Sequence, residues 1–548
     1  MQPQVVRHVI DGLYRGIDAA KLGRYALVIM GIALVAGLFR FGMRHWVIGI
    51  SRRLEFDLRN ALFAHLQRQP LTWFQHRRTG ELMSIATNDM SAVRMMLGPG
   101  IMYAVNTLTV GVLLIAVMLA ISPRLTLLSL LPMPIVSLSV WWFGDRIHRR
   151  FEQVQERMAQ LSAHAQENLA GVRVVRAFVA EGRQSDRFDE LSESYRRGHL
   201  DLIRVSGIFH PSLGFWTGVG ALLAIWIGGR ETIAGRITIG EFVAFIMYLG
   251  MLTWPMIALG WVINLFQRGL ASYARITALL DAEPSITSAP GALRPAGVAR
   301  GELEIRDLTF TYPGAHGPAL ARISFHVPAG HTVALVGRTG SGKSTVLALW
   351  PRAFDPPRGT VFVDGHDVRT LDLDWLRSQI ASVPQDPFLF SATIGANIAY
   401  GVPHEEAAAI ERAAGIAHLA SDIAGFPAGY ATRVGERGIT LSGGQKQRTA
   451  IARALLRDAR ILLLDDCLSN VDTHTEEAIL GELRGEMRRR TTLLVSHRVS
   501  TVREADLILV LEDGRIVERG EHAELLAYGG HYAALHQAQQ LEEEIAAS

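Results

Sequence analysis

Cysteine, net charge and a leader-like N-terminus are scarce or absent in this sequence of 548 residues. Its one cysteine, Cys467, excludes an internal disulfide framework, and its neighbours predict a small buried residue. The formal net charge of only +3 gives no support to nucleic acid as a partner. Residues 1–16 lack an apolar core of the length that a cleavable signal peptide needs, so we expect none.

Charge is also scarce in five long apolar runs of the first half. A helix needs about 20 mainly apolar residues to cross the hydrocarbon of a bilayer. Core helices of soluble proteins rarely run so long without a charge, so the sequence predicts an all-α polytopic membrane domain with five visible spans. The runs are residues 25–50, 101–122, 125–143, 205–229 and 242–266.

The second half changes character after a segment rich in proline, alanine, glycine and serine at residues 281–300. Short apolar strands, turns and amphipathic helices follow from Gly301, which is typical of an α/β domain. We therefore predict a membrane domain at residues 1–284, a linker at 285–300 and an α/β domain at 301–540.

The α/β domain contains the motif of a phosphate-binding loop. The sequence GRTGSGKST follows an apolar strand predicted at 331–336 and opens a helix, which is the context that G-x-x-x-x-G-K-[ST] requires. Its glycines let backbone N–H groups turn onto phosphates, Lys343 reaches the β- and γ-phosphates, and the Ser344 hydroxyl ligates Mg²⁺. The candidate ligands of ATP are Gly337, Arg338, Thr339, Gly340, Ser341, Gly342, Lys343, Ser344 and Thr345.

Two further strand ends carry candidate catalytic groups. The buried strand at 460–466 ends in two carboxylates, of which Asp465 suits the Mg²⁺ shell and Asp466 occupies the position of a general base. His497 follows a second apolar strand at 492–495, where a γ-phosphate sensor is plausible. The glycine-rich LSGGQ at 441–445 indicates a second anion cradle, so the nucleotide is predicted to lie between two protein surfaces.

The motif set resembles that of ATP-binding cassette (ABC) transporters. Residues 301–537 resemble the nucleotide-binding domain, and RRTGELMS at 77–84 with GVRVVRAF at 171–178 resembles the exporter type of membrane domain. In chain order the cassette motifs are Tyr312, the loop at 337–345, Gln385, Val434–Gly438, LSGGQ at 441–445, the strand ending at Asp465, Ser469–Asp472 and His497.

The resemblance implies roles for the remaining candidates. Tyr312 would stack on adenine, and Gln385 would touch Mg²⁺ and relay to the membrane helices. The signature residues would bind the γ-phosphate of the ATP that the other subunit holds, so two such domains would enclose two nucleotides. Those signature residues are Ser442, Gly443, Gly444 and Gln445.

The polar segments between the spans predict which side of the membrane each part of the chain faces. Residues 51–98 and 145–204 are rich in arginine and should face the cytoplasm. They should project about 30 Å as helices and turn near residues 75–81 and 168–171, which are candidate contact points with the ATP domain. Because the ATP domain is cytoplasmic, five spans leave residue 1 outside. We therefore expect that a first span is missing and that residues 5–13 are its end.

One position departs from the family pattern. Most members place glutamate directly after the strand-end aspartate, whereas this chain has Asp466, one methylene shorter. The chain resembles the degenerate-site subunit of heterodimeric multidrug or lipid exporters, which predicts slow hydrolysis at its own site and a paralogous partner with an intact glutamate. A homodimer with a slow aspartate base remains an alternative, as does a regulatory subunit that holds ATP without turnover.

The substrate is predicted from the membrane helices, which carry few charges at mid-depth. His210 and Asn264 are the main polar candidates, and methionine and aromatic residues are frequent. These features favour hydrophobic drugs or lipids over ions or sugars, although single residues of this kind also pack against neighbouring helices or face lipid. The five spans argue against a soluble ATPase that remodels nucleic acid.

Overall fold

The computed structural model describes residues 2–16, 18–404, 406–435, 441–471 and 473–547. Most of the predicted segment Val434–Gly438, and Asp472 of the predicted Ser469–Asp472 segment, lie outside these residues. The chain forms two compact units, which are described separately. The first comprises Met1–Gln67 and Thr79–Ala282, and the second comprises Arg68–Arg78 and Glu283–Ser548.

Residues 2–280 are almost entirely helical. Among the described residues, five helical stretches are long and apolar enough to cross a membrane. The helices are α1 (Gln2–Tyr14), α2 (Ala19–Arg68), α3 (Leu71–Gln75), α4 (Thr79–Ser84), α5 (Met90–Met95), α6 (Ile101–Ile121), α7 (Pro123–Ser129), α8 (Met133–Ala170), α9 (Val172–Ala177), α10 (Glu181–Ile233) and α11 (Ile239–Leu280), with π-helical turns at Ile85–Asp89 and Met96–Gly100.

The third predicted span is not one continuous helix. It is divided into α7 and α8 by a turn at residues 130–132, where Pro132 and Pro134 lack the backbone N–H that an unbroken helix would need. The predicted turns after the long polar helices are present: α3 ends at Gln75 and α4 begins at Thr79, and α8 ends at Ala170, directly before Gly171.

Residues 5–13, predicted to be the end of a span, lie within α1. This helix is fastened to the start of α11, where the Asp11 carboxylate accepts hydrogen bonds from the Thr238 hydroxyl and the Gly240 N–H, both at 2.8 Å. Thr238 also caps α11 reciprocally with Glu241. The N-terminal segment is therefore an integrated part of the first unit.

The second unit contains two sheets. The larger has the strand order β10-β9-β3-β8-β7-β6, and the smaller has the order β2-β1-β4-β5. The strands are β1 (Leu303–Phe310), β2 (Leu320–Val327), β3 (Thr332–Val336), β4 (Val361–Val363), β5 (His366–Asp367), β6 (Ile380–Val383), β7 (Ile461–Asp465), β8 (Thr491–Val495), β9 (Leu507–Glu512) and β10 (Arg515–Gly520).

Helices surround these sheets. Two apolar clusters of buried residues lie on the faces of the larger sheet, which explains why β3 and β8 are buried along their whole length. The helices are α12 (Lys343–Leu349), α13 (Leu373–Ser378), α14 (Ile394–Ile398), α15 (Ala407–Ile416), α16 (Ala420–Ala424), α17 (Gly443–Leu456), α18 (Thr473–Met487), α19 (Val499–Val502), α20 (His522–Tyr528) and α21 (His531–Ala547).

The order of the larger sheet brings the predicted motifs together. Strands β3, β8, β7 and β6 are neighbours and run parallel, so their carboxyl ends meet at one edge. The phosphate loop follows β3, His497 follows β8, the two aspartates end β7, and Gln385 follows β6. In open parallel sheets this edge is where ligands bind.

The segment predicted as a linker is bonded to the second unit. Backbone bonds join Leu293 to Thr370 and Asp372, and the N–H of Ala299 donates to the Gln379 side chain at 2.9 Å. Residues 288–300 thus add a peripheral layer to the α/β domain, although their composition is typical of a linker.

Candidate functional site

The phosphate loop is built on backbone conformations that favour glycine. Gly337 has φ +146°, and a Cβ there would lie 2.1 Å from the Leu511 carbonyl oxygen. Gly342 has φ +100°, and a Cβ there would lie 2.6 Å from Leu320 Cδ2. Larger residues at either position would clash, so the loop depends on both glycines.

Lys343 is the buried cation of this loop. Its Nζ donates hydrogen bonds to the carbonyl oxygens of Gly337 and Arg338, both at 2.8 Å, and the residue is 5% exposed. Burial lowers the pKa of Lys343, while Asp465 and Asp466 act in the opposite direction. The loop therefore curls around its own ammonium group, which lies close to the strand-end carboxylates.

Ser344 and Asp465 form the oxygen pair expected for Mg²⁺. The Ser344 hydroxyl donates to Asp465 Oδ1 at 3.0 Å, which places two hard oxygen donors side by side. Burial raises the pKa of the Asp465 carboxyl, and the bond from Ser344 partly offsets this. A desolvated carboxylate beside a hydroxyl fits a divalent cation. Gln385 lines the same cavity.

Most of the predicted groups line one cavity of about 260 Å³, but Gly337, Arg338 and Ser341 of the phosphate loop do not. It combines members of the phosphate loop with groups at the carboxyl ends of β6, β7 and β8. None of the described residues 441–445 belongs to its lining. The lining is formed by Tyr312, Ala319, Thr339, Gly340, Gly342, Lys343, Ser344, Thr345, Gln385, Asp465, Asp466, Val495 and His497.

Asp466 occupies a sharp bend directly after β7. Its φ is +44°, a left-handed conformation that aspartate tolerates better than most residues, and its N–H donates to the Val495 carbonyl at 2.9 Å. The residue is only 9% exposed. The bend turns the chain at the cavity, and the following Cys467 is buried, as predicted from its neighbours.

Tyr312 makes a hydrogen bond and ring contacts with neighbouring side chains. Its hydroxyl donates to the Thr345 hydroxyl oxygen at 2.9 Å, and its ring makes edge contacts with Phe310 and Phe354 at centroid distances of 5.1 and 4.9 Å. The ring therefore lies in an aromatic group that borders the cavity.

The signature residues lie at the start of α17. Ser442 caps this helix, with its hydroxyl accepting from the Gln445 N–H at 3.2 Å and the Gln445 side chain accepting from the Ser442 N–H at 3.1 Å. Ser442 and Gly443 are exposed. A Cβ on Gly444 would lie 3.0 Å from the Asn470 carbonyl oxygen. The exposed helix start thus combines the positive end of the helix dipole with a tight packing contact beneath it.

Sequence reasoning did not identify Gln447. Its side chain is fully buried, donates to the Ser469 hydroxyl at 3.0 Å and accepts from the Asn470 N–H at 2.9 Å. It joins the signature helix to the segment after Asp466. A glutamine one turn before Ile451, on the face that α17 buries, is a signal that could have singled it out.

The first unit contains an apolar cavity of about 750 Å³ between α8 and α11. Val136, Phe151 and Ile263 are among its apolar lining residues, and Asn264 and His148 contribute polar groups. Of the polar candidates from the sequence, Asn264 is therefore placed in a cavity, while the His210 side chain lies outside the described part of the chain.

Comparisons with known proteins agree with these two units. A family described as the ABC transporter transmembrane region matches residues 1–256, and one described as ABC transporter matches residues 320–469. The solved structure of a bacterial Atm1-family ABC exporter with ATP bound is 30% identical, with a TM-score of 0.79, and the match covers 98% of this chain and 94% of that one.

Curated relatives extend over nearly the whole chain. The multidrug resistance-like ATP-binding protein MdlA of Escherichia coli K12 is 39% identical over 542 residues, covering 98% of this chain and 91% of the relative. An ATP-dependent lipid A-core flippase of Aromatoleum aromaticum is also 39% identical, with the same coverage of both chains. With a helical transmembrane domain followed by an α/β ATP-binding domain, the chain belongs to the ABC exporters.

Proposed function

We propose that this chain is one half of a dimeric exporter that uses ATP to move hydrophobic drugs or lipids across the cytoplasmic membrane. The proposal that the chain uses ATP rests on one observation: one cavity is lined by Lys343, Ser344, Asp465 and His497. The five apolar helices support a multi-pass protein of the inner membrane. The ATP-binding domain then lies in the cytoplasm.

Each group of the nucleotide cavity has a task in this proposal. The loop N–H groups and Lys343 bind phosphates, and Tyr312 presents its ring to the adenine. Ser344, Asp465 and Gln385 hold Mg²⁺, which neutralises phosphate charge when it is bound. His497 contacts the γ-phosphate, and Asp466 orients and deprotonates the attacking water.

We propose that hydrolysis in this cavity is slow. The Asp466 carboxylate is withdrawn by one C–C bond, about 1.5 Å, relative to a glutamate at the same position. Misplacement of a reacting group on this scale can cost on the order of a hundredfold in rate. The burial of Asp466 and its backbone bond to Val495 support this reading, because they leave little room for the backbone to compensate.

The partner is proposed to be a paralogous half-transporter with an intact glutamate. In that heterodimer, Ser442 and its neighbours complete the partner's nucleotide site. Their exposure at the start of α17, outside the chain's own cavity, supports this assignment.

A hydrophobic substrate is supported by two observations. The cavity of about 750 Å³ between α8 and α11 is lined mainly by apolar side chains. Two similar proteins are named for multidrug resistance and for flipping of the lipid A core. A compound that partitions into the bilayer can enter such a cavity with little desolvation of polar groups.

The experiment is to purify the full chain alone and together with its paralogous partner in lipid nanodiscs, and to compare ATPase rates. We expect the pair to hydrolyse ATP at least about tenfold faster than the lone chain. Equal rates per chain would favour a homodimer. Tight ATP retention without turnover by the pair as well would favour a regulatory ATP-binding subunit.

A further inference from the structure

The C-terminal helix reaches the loop that presents His497 to the nucleotide cavity. In α21, the Gln539 side chain makes two hydrogen bonds to the main chain of this loop. Its amide N–H donates to the His497 carbonyl oxygen, and its amide oxygen accepts from the Val499 N–H at 2.8 Å. One orientation of the amide satisfies both bonds, with the donor and the acceptor each matched.

The helix that carries Gln539, α21, is anchored to the rest of the domain. Seven residues earlier, Tyr532 is fully buried, its N–H donates to Glu518 at 3.1 Å, and its hydroxyl lies 2.8 Å from His522 Nδ1. Residues seven apart in a helix share one face. The anchoring of Tyr532 therefore sets the position of Gln539 two turns later.

The other side of the loop is fastened to α18. Glu476, which is 2% exposed, pairs with Arg498 and accepts from the Thr501 hydroxyl at 2.7 Å. These bonds hold the residues after His497. The two bonds from Gln539 act on His497 itself and on Val499, so they fix the peptide units on either side of Arg498.

We infer that Gln539 is a positioning residue for His497, which sets the distance from the imidazole to the γ-phosphate of bound nucleotide. The inference rests on the proposed function, in which His497 contacts that phosphate. Removal of both bonds lets the loop relax away from the cavity. The resulting loss of binding affinity should appear only for nucleotides that carry a γ-phosphate.

The test compares ADP with AMP-PNP on the full-length protein in nanodiscs, by displacement of a fluorescent nucleotide in the presence of Mg²⁺. The readout is the ratio of the two dissociation constants, which does not depend on hydrolysis. Gln539→Ala should lower the preference for AMP-PNP by about tenfold with little change for ADP. Gln539→Glu keeps the acceptor for Val499 but loses the donor to His497, so it should lower the preference as well.

The control is Gln540→Ala, which alters an exposed neighbour on the same helix and should leave the ratio unchanged. In a His497→Ala background, Gln539→Ala should have no further effect, because its action passes through the imidazole. An unchanged ratio in both Gln539 variants, or an equal drop in the His497→Ala background, would overturn the inference. If His497→Ala alone leaves the ratio unchanged, the proposed role of His497 fails instead.

Discussion

The second unit contains two glycine-rich segments that are predicted to bind phosphate, and their surroundings differ. Most residues of the phosphate loop at 337–345 line a cavity, beside a buried lysine and two strand-end carboxylates. The signature residues at 441–445 begin a helix whose first residues are exposed. A site with its own cation and Mg²⁺ ligands can bind a nucleotide from within one chain. An exposed helix start that lies outside this cavity needs a nucleotide presented by another surface.

The largest expected effect concerns Lys343, the cation of the phosphate-loop cavity. Lys343→Ala should weaken ATP binding to the lone chain by about a hundredfold or more, because no other described cation lies among the lining residues of the cavity. Lys446→Ala, on the first turn of α17, should leave this binding unchanged and serves as the matched control. Nucleotide titration measures the ATP affinity of both variants. Equal losses of affinity would contradict the distinction between the two sites.

Asp466→Glu tests whether geometry limits hydrolysis in the phosphate-loop cavity. The longer side chain should bring the carboxylate about 1.5 Å closer to the γ-phosphate and raise turnover by about tenfold. Asp466→Asn has the same length without the charge and should not raise it. ATPase assays of the purified pair, with the partner's own glutamate replaced, isolate this site. A rate unchanged by the glutamate would contradict the geometric argument.

Gln447→Ala tests the link between the signature helix and the segment after Asp466. Removal of the buried amide leaves the Asn470 N–H without its partner, which should cost about 1–3 kcal/mol and loosen the helix end. We expect a lower melting temperature and a several-fold lower ATPase rate of the pair. Gln445→Ala breaks the reciprocal cap but spares Asn470, so it should be milder in stability. A fully stable Gln447→Ala would show that the link contributes nothing.

The smallest effect is a difference in reactivity. The native thiol is buried, and burial raises the pKa of Cys467 to about 12, so maleimide should label the wild-type chain only after unfolding. Ser442→Cys introduces an exposed thiol that should react within minutes in the lone chain. ATP together with the partner should protect it. Protection by ATP in the lone chain would instead assign the signature residues to the chain's own nucleotide.

The sequence was sufficient for the groups that share one sheet edge. Four parallel strands place Gly337, Gln385, Asp465 and His497 at neighbouring carboxyl ends, so a local motif at each strand end was enough to bring them together. Gln447 and Gln539 were missed because their partners are 22 to 42 residues away and no local pattern marks such bonds. Their roles depend on packing that only the folded chain specifies.

Other differences have local causes. The interruption of the third span was predictable from Pro132 and Pro134, since neither residue can donate a helical hydrogen bond. The bonding of residues 288–300 to the α/β domain was not predictable from the sequence, because a proline- and glycine-rich composition is compatible with either a free tether or an extended layer.

The central claim is that the signature residues of this chain complete the partner's nucleotide site, while the chain's own site is slow. The most direct measurement is the ATPase rate of the purified pair carrying either Gly444→Asp or Asp466→Ala in this chain. Gly444→Asp places a carboxylate at the helix end, where a Cβ already meets the Asn470 carbonyl at 3.0 Å, and it should abolish nearly all activity. Asp466→Ala should retain most of it. The opposite ranking would contradict the account.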